Sequence, residues 1–516
     1  MAQTEFKFNS NPQAAIVSAP DTELKSIFLE CLRLLEHTPE ILSMIENDIN
    51  LAAKGKKVYR LENRDYYYTK HGQFPGFELV QTEGNYSPER LHLWDGRPRL
   101  LDSEALFLMM MCRAHLDSVT SKQAYDRLKD SMVINGYLSA RGLRLPAATT
   151  IHESLNVISQ ETLDFIFKSQ IEMIVSEDLD PMTIVALDSF SVSGNTEWPT
   201  DSRIMLNLLR RAYRLGTHRL FKFGLPGFTE SCIPGWLKKL HQLNFKIANT
   251  CGKAKSKGKI KKLYRKLLKV VNKILLRMIR RVSDCLCDWE KTVKNLVPNH
   301  CRMAQAIINQ LILDLQSVIR VYTYAGDRVF HKIILPAPEK ILSLSDACVS
   351  FIKKGGREAV IGYKPQVVRS GKGFITAIEI EEGNPSDSSR LIPMIIQHCE
   401  NTSSTPKIVT VDDGYSSALN RKRLKRMGVD TVSIGGAKGK KITPESDWNS
   451  PEYEDARRNR SSVESIIFVL RYKFHLGSFT RRGIDGVKAE LTEKVIAHNF
   501  WRMCYLRKQL KLPLAA

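Results

Sequence analysis

The sequence predicts an α/β protein: one mixed sheet with helices on its faces, a large helical insertion outside the sheet, and a mainly helical region before it. Three observations carry the prediction. Thr183–Phe190 (TIVALDSF) and Lys407–Tyr415 (KIVTVDDGY) are short β-branched and apolar runs that reach an aspartate, the pattern of buried strands. Ala359–Arg369 and Gly373–Ile380 flank SGKG and read as a hairpin. Helical periodicity from about 217 to 350 separates the first run from the rest. The predicted order is therefore strand, helical insert, two strands, helix at Ser388–Glu400, strand, helix at Ser416–Met427, strand at 429–434, a flexible basic loop (GGAKGKK), and a last helix at Glu454–Lys473.

Composition bounds the function. The chain has 516 residues, 43% of them hydrophobic, enough for roughly two to four domains. A net charge of +22, from 77 Lys and Arg against 55 Asp and Glu, favours a polyanionic partner, most often nucleic acid. Ten cysteines are scattered without a CxxC pair, the closest being Cys285 and Cys287. That argues against a zinc site or a disulfide frame and for a reducing compartment. The greasiest run, Ala105–Met111, is far too short for a membrane span. The N-terminus lacks a signal-peptide pattern, so a cytoplasmic protein is expected.

The first hundred residues suggest no role. Thr22–Leu51 has helical spacing with Asp21 as N-cap, and the aromatic and basic stretch Tyr59–Phe77 reads as a loop with local packing. Between Asp102 and Glu177 the pattern is helical throughout. SEALFLMMMCRAHL and SKQAYDRLKDS are two helices, and LPAATTIHESLNVISQETLDFIFKSQIEMI holds two more. Residues 101–178 are a candidate DNA-binding domain, although packing or dimerisation explains the same pattern. Lys253–Arg281 has no acidic residue and thirteen Lys or Arg, while Ile260, Leu263, Leu267, Val271, Ile274, Met278 and Val282 recur at helical spacing. This is an amphipathic helix with a basic face. Lys261, Lys262, Arg265 and Lys269 on it are candidates for contacts to duplex phosphates, which fit better than a membrane surface.

The chemistry centres on Glu454–Lys473 (EDARRNRSSVESIIFVLRYK), read as one helix. At ~100° per residue, Arg457, Arg460, Glu464 and Arg471 fall within about 80° of one another. Val463, Ile466, Ile467 and Leu470 point the other way, towards a core. One carboxylate thus sits on a stripe of arginines. Aspartates just past the ends of two strands are well placed to face a crevice at the sheet's edge. Three carboxylates drawn together repel one another unless cations lie among them. Oxygen donors without cysteine or histidine favour Mg²⁺ or Mn²⁺, and a pair of such ions can cut a phosphodiester.

The element order is similar to the ribonuclease-H-like fold, and the chain resembles DDE transposases of bacterial insertion sequences. The resemblance rests on IVALDSF, NTEWPTDSRIMLNLLRRAYRL, VDDGYSS, RNRSSVESIIFVLRYKFHL and GVKAELTEKVIAHNFWRMCYL, covering most of 180–216 and 360–510. It implies a metal-dependent recombinase with Asp188, Asp412 and Glu464 as catalytic and metal-holding residues. Asp412 is chosen over Asp413 because the family's aspartate is followed by one residue and then glycine. Many relatives carry a Tyr, Arg, Glu, Lys signature on the last catalytic helix; here Arg457 stands at the Tyr position, Arg460 and Glu464 match, and Arg471 replaces the Lys. Arg460, Arg471, Lys473, Lys438 and Lys440 become candidates for gripping the DNA backbone. Asp201 is a second-rank candidate, read as a helix N-cap in preference to an accessory of the site.

Many relatives place an insertion between the second Asp and the Glu, whereas this chain places it after the first carboxylate strand. The resulting division is 1–100 unassigned, 101–178 helical, 179–216 and 358–516 catalytic core, and 217–357 basic insertion. The resemblance also implies two Mg²⁺ (or Mn²⁺) ions, double-stranded DNA as transposon ends and target, a homo-oligomer, no membrane, and action at the bacterial nucleoid. Two other readings remain: a catalytically inactive DNA-binding protein derived from such an enzyme, and a nuclease of the same fold that cuts without strand transfer. The presence of all three carboxylates favours the active enzyme.

Overall fold

The computed structural model describes residues 22–52, 101–116, 121–220, 223, 228, 231–253, 256–287, 289, 291, 298–353 and 358–510. Asp21 and Tyr59–Phe77 lie outside them. The described residues divide into two compact units: those up to Asn195 together with those from Cys348 onward, and Thr196–Ala347.

The strands are β1 (Ile184–Ser189), β2 (Val192–Ser193), β3 (Ser350–Ile352), β4 (Val360–Tyr363), β5 (Gln366–Ser370), β6 (Ile375–Glu379), β7 (Ile408–Val411) and β8 (Thr431–Ile434). All lie in the first unit. Five form a sheet of order β6-β5-β1-β7-β8. β5 is antiparallel to both β1 and β6, while β1, β7 and β8 run parallel. This is the expected mixed sheet in a ribonuclease-H-like arrangement. The SGKG hairpin joins β5 to β6, with Gly373 at φ +96, a conformation that glycine adopts without steric cost.

Among the described residues, the helices before the sheet include α1 (Glu23–His37), α2 (Ser103–His115), α3 (Ser121–Asp130), α4 (Met132–Ala140), α5 (Ala148–Leu155) and α6 (Gln160–Ser176), and residues 40–52 are helical as well. The second unit holds α7 (Asp201–Arg214), α8 (Cys232–Thr250), α9 (Lys257–Cys287) and α10 (Pro298–Gly326). After the hairpin come α11 (Asp387–Thr402), α12 (Ala418–Arg426), α13 (Gly436–Ile442), α14 (Pro451–Asn459), α15 (Ser461–Tyr472) and α16 (Gly483–Leu510).

Strand alternation decides what each face of the sheet meets. Val185, Leu187, Val409 and Val411 share one buried cluster with Leu391, Met394 and Ile395 of α11 and Leu424 of α12. Residues of opposite parity face α14 and α15: Thr410 Oγ1 donates to the Ala456 carbonyl at 3.2 Å. Val463, Ile466, Ile467 and Leu470 of α15 are buried, as their spacing predicts. α16 runs beside the edge strand, where the Asn499 side chain exchanges two 2.9 Å hydrogen bonds with the Ile375 backbone. Helices α1, α2 and α6 pack on α16.

In the second unit, α7 to α10 enclose their own core around Leu208, Leu240, Ile274 and Leu311. α9 buries Leu267, Val271, Ile274, Met278 and Val282, so its basic residues take the outer face as the periodicity predicts. Arg211 Nε donates to buried Asp314 at 2.8 Å, tying α7 to α10.

Several local expectations are corrected. Ala359–Arg369 is not one strand. It divides at Lys364-Pro365, β5 joining the five-stranded sheet and β4 a second sheet of order β2-β4-β3; proline has no N–H for a continuing ladder. GGAKGKK is not a loop but belongs to α13. Glu454–Lys473 is two helices, broken at Arg460. There Ser461 Oγ and Ser462 Oγ donate to the carbonyls of Arg458 and Asn459, and Val463 N reaches only to the Arg460 carbonyl, which tightens and bends the turn. Thr22, not Asp21, caps the first helix. Thr200 caps α7, and Asp201 instead pairs with Arg328 at 2.6 Å. The spacing did not separate α4 from its neighbours.

Candidate active site at the carboxyl ends of the central strands

The parallel pairing of β1 with β7 sets the site. Leu187 lies opposite Val411, so the next residues along, Asp188 and Asp412, come side by side at the carboxyl ends of adjacent strands. Both have the parity of Ala186 and Thr410, and Asp412 remains extended at φ -82, ψ 178. The two carboxylates therefore share the sheet face covered by α14 and α15. Asp188 is buried, at 8% exposure, and its Oδ1 accepts from Ser189 N at 2.7 Å. Asp412 Oδ1 accepts from Gly414 N at 2.9 Å.

Its neighbour Asp413 is committed elsewhere. One carboxylate oxygen accepts from Ser416 Oγ at 3.0 Å, Lys438 N at 3.0 Å and Gly439 N at 2.9 Å. Desolvation opposes ionisation of Asp413, but the hydrogen bonds from Gly439, Ser416 and Lys438 outweigh it and hold its carboxyl below the usual range. This carboxylate caps the first turn of α13. Gly436 at φ +85 makes room for it, because a Cβ there would lie 2.5 Å from Asp413 Cγ.

Glu464 is placed by α15, which packs on β1 and β5. At one end Arg460 lies along Gly435, whose N–H donates to the Val411 carbonyl at 2.9 Å, immediately before Asp412. At the other end Arg471 donates to the Ser191 carbonyl at 2.8 Å and lies over the Phe190 ring. Glu464 lies between them along the helix. Its side chain is 56% exposed and paired with Arg460 at 3.2 Å. Among the described residues, no three His, Cys, Asp or Glu side chains stand close enough to hold a metal ion. The donors at this edge are carboxylate oxygens, which suit a hard divalent cation. Asp188 and Asp412 fit such an ion in type and register, while Glu464 would have to leave Arg460 to complete the set.

Sequence reasoning missed a supporting layer. Asp387, first residue of α11, pairs with Lys364 at 2.9 Å and accepts from Gln366 Nε2 at 3.1 Å. Desolvation works against its charge, but hydrogen bonds from Lys364 and Ser189, with the Lys364 ammonium, keep its carboxyl below the usual range. A Cβ on Gly414 would meet Asp412 Oδ1 at 3.0 Å and Asp387 Oδ2 at 3.1 Å, so the two carboxylates crowd one turn. Behind them the buried Tyr415 hydroxyl donates to Gln366 Oε1. Burial, then the charges of Asp387, Asp188 and Asp412, push that hydroxyl well above its ordinary value. The PSDSS helix start held the only sequence signal for Asp387, and it reads as an ordinary cap.

The predicted DNA-contacting residues divide. Arg460, at the break before α15, and Arg471 on α15 flank Glu464. Lys438 and Lys440 are exposed on α13. Lys473 is drawn away, paired with Glu23 at 2.6 Å and seated over the Trp501 ring. Arg457, assigned to the same stripe, lies over Trp448 instead. Lys261, Lys262, Arg265 and Lys269 are exposed on α9 in the other unit.

Residues 344–500 match the family model described as the transposase DDE domain. The chain carries a DDE transposase domain. The matched residues include Asp412 and Glu464 but not β1, so Asp188 joins the DDE domain through the sheet, across the helical insertion. No curated protein and no solved structure matches the chain. Transposase DDE domains generally use divalent metals and act on DNA. Among the described residues no helix is long and apolar enough to cross a membrane.

Proposed function

We propose that the protein is a DNA transposase that cuts at the ends of its element and joins them to target DNA, with Asp188, Asp412 and Glu464 as catalytic residues. The observation that carries this reading is the β1–β7 register, whose last pair, Leu187 with Val411, stands immediately before Asp188 and Asp412. Bound there, a pair of Mg²⁺ or Mn²⁺ ions would supply Lewis acidity to the phosphate and lower the pKa of a water.

The residues supply the rest. Asp188 and Asp412 would hold the ions, and Glu464 would complete the set once released by Arg460. Arg460 and Arg471 would bind phosphate oxygens on either side of the scissile bond. In the first step water adds to phosphorus and the element's 3′-oxygen leaves, taking a proton to become a hydroxyl. In the second, that 3′-oxygen attacks a target phosphodiester, forms a new P–O bond and displaces the target's own 3′-oxygen. Lys438 and Lys440, and the α9 residues Lys261, Lys262, Arg265 and Lys269, would hold more distant phosphates. A homo-oligomer bridging two ends, and a DNA-binding role for 101–178, belong to the same proposal.

The test is cleavage and joining of DNA carrying the element's ends, with Mg²⁺ or EDTA, by the native protein and by Asp188→Ala, Asp412→Ala and Glu464→Ala. Each substitution is expected to lower the rate on the order of 10³-fold while binding persists. If the native protein binds the ends yet never cuts them, whichever divalent metal is supplied, the protein is a binding protein built on this fold.

A further inference from the structure

α15 carries a feature that the cleavage chemistry does not use. Phe468 and Tyr472 are 61% and 67% exposed, and their rings touch, with centroids 4.4 Å apart and planes inclined by 42°. Single exposed apolar residues are ordinary, but two large rings in tilted contact and open to water form a patch that calls for an occupant. The helix specifies where the patch lies. Phe468 is one turn beyond Glu464, ~6 Å along the axis and about 40° round it, and Tyr472 is ~12 Å along. Arg471 lies about 20° round the other way from Glu464 and about 60° from Phe468, its i+3 neighbour on the helix surface. The rings therefore continue the i, i+4 row that runs from Arg460 through Glu464, with the guanidinium that reaches Ser191 beside the first of them, Phe468.

Guanidinium beside paired aromatic rings is the chemistry that receives a nucleic-acid strand whose bases are out of the helix: cation to phosphate, ring to base. A protein partner is the poorer fit, because the rings adjoin the carboxylate and arginines of the candidate site. At ~3.4 Å per nucleotide, 6–12 Å from Glu464 corresponds to roughly two to four nucleotides from the scissile phosphate. We propose that Phe468 and Tyr472 are a stacking platform for unpaired bases about two to four nucleotides from the bond being cut. The position relative to the bond rests on the function proposed above; the stacking itself does not. The platform would hold bases that have left the duplex, which costs least where they are already unpaired.

The experiment separates the two claims by reading binding without cleavage. A short single-stranded oligonucleotide carrying one 2-aminopurine, and the same sequence as a fully paired duplex, are titrated with the protein in EDTA. The variants are Phe468→Ala/Tyr472→Ala and the ring-conserving Phe468→Tyr/Tyr472→Phe. The alanine variant is expected to lose about 5- to 150-fold in single-strand affinity for each base unstacked, together with the 2-aminopurine emission change. Duplex affinity should hardly move, and the ring-conserving variant should keep both signals. Stacking without any cutting of element ends supports the platform and overturns only the transposase reading. Unchanged single-strand affinity and emission in the alanine variant overturn the platform. So does a sedimentation change from oligomer to monomer with emission intact, which makes the patch a self-association surface.

Discussion

Asp412 and Asp413 are chemically identical neighbours, and the fold separates them by backbone geometry alone. Asp412 is extended and continues the alternation of β7, so it reaches the face shared with Asp188. Asp413 enters a 3₁₀ turn, where its carboxylate closes the start of α13. Asp413→Ala should therefore remove a cap, cost about 0.5–2 kcal/mol of stability, and leave the cutting rate within a few-fold. Asp412→Ala should do the opposite. Thermal melting and single-turnover cleavage of the two variants, measured together, check the assignment; a wild-type melting temperature for Asp413→Ala would remove the capping role. Asp387 and Tyr415 show why parts of the site were illegible. Nothing in their local sequence marks them, and they matter only because Lys364, Gln366 and Ser189 converge on them from separate segments.

At the scale of elements, periodicity located the amphipathic helices well. α9 buries the residues its spacing selected, leaving Lys261, Lys262, Arg265 and Lys269 exposed. If these four contact phosphates, replacing all four with glutamine should lower the slope of log K against log salt by about 3.6, at ~0.9 per contact. An unchanged slope for duplex binding would remove them from the interface. Local pattern failed where an element depends on a distant partner. GGAKGKK holds three glycines, which disfavour a helix, and reads as a loop, yet it coils as α13 because Asp413 caps it and Gly439 packs against Ile434, whose carbonyl would be 2.2 Å from a Cβ. AVIGYKPQVVR reads as one strand, but Pro365 divides it between two sheets. In the Glu454–Lys473 stretch the helical periodicity is correct, and the two serines break the helix without disturbing it.

At the scale of the molecule, the first unit is closed by charges far apart in sequence. Buried Glu493 of α16 receives Arg113 of α2 at 2.7 Å and Arg481 at 2.6 Å. Desolvation opposes its charge, but Arg113 and Arg481 outweigh it and keep its carboxyl below the usual range. A depressed folded-state pKa means that this stabilisation is present above the unfolded carboxyl value, about 4.3, and is lost as pH falls through the folded value. Glu493→Gln should destabilise the protein by about 3 kcal/mol at pH 7, leaving two partly buried guanidinium groups without their main counter-charge. It should also flatten the loss of stability between pH 5 and 3, read by denaturant unfolding. An undiminished acid limb in that variant would remove Glu493 as its source.

The sequence by itself determined the element order, the two strand-end aspartates, the buried face of α15 and the basic face of α9. Those depend on periods of two and 3.6 residues and on runs of apolar side chains, which are local properties. Only the tertiary structure decided how Asp413 is committed to α13 while Asp412 is not, that Arg460 pairs with Glu464, that Arg457 leaves the stripe for Trp448, that Lys473 pairs with Glu23, and that Asp387 crowds Asp412 at one turn. Each of those depends on strand register or on a side chain arriving from another segment. Register is a contact between chain stretches more than two hundred residues apart in the case of β1 and β7, and no local pattern specifies it.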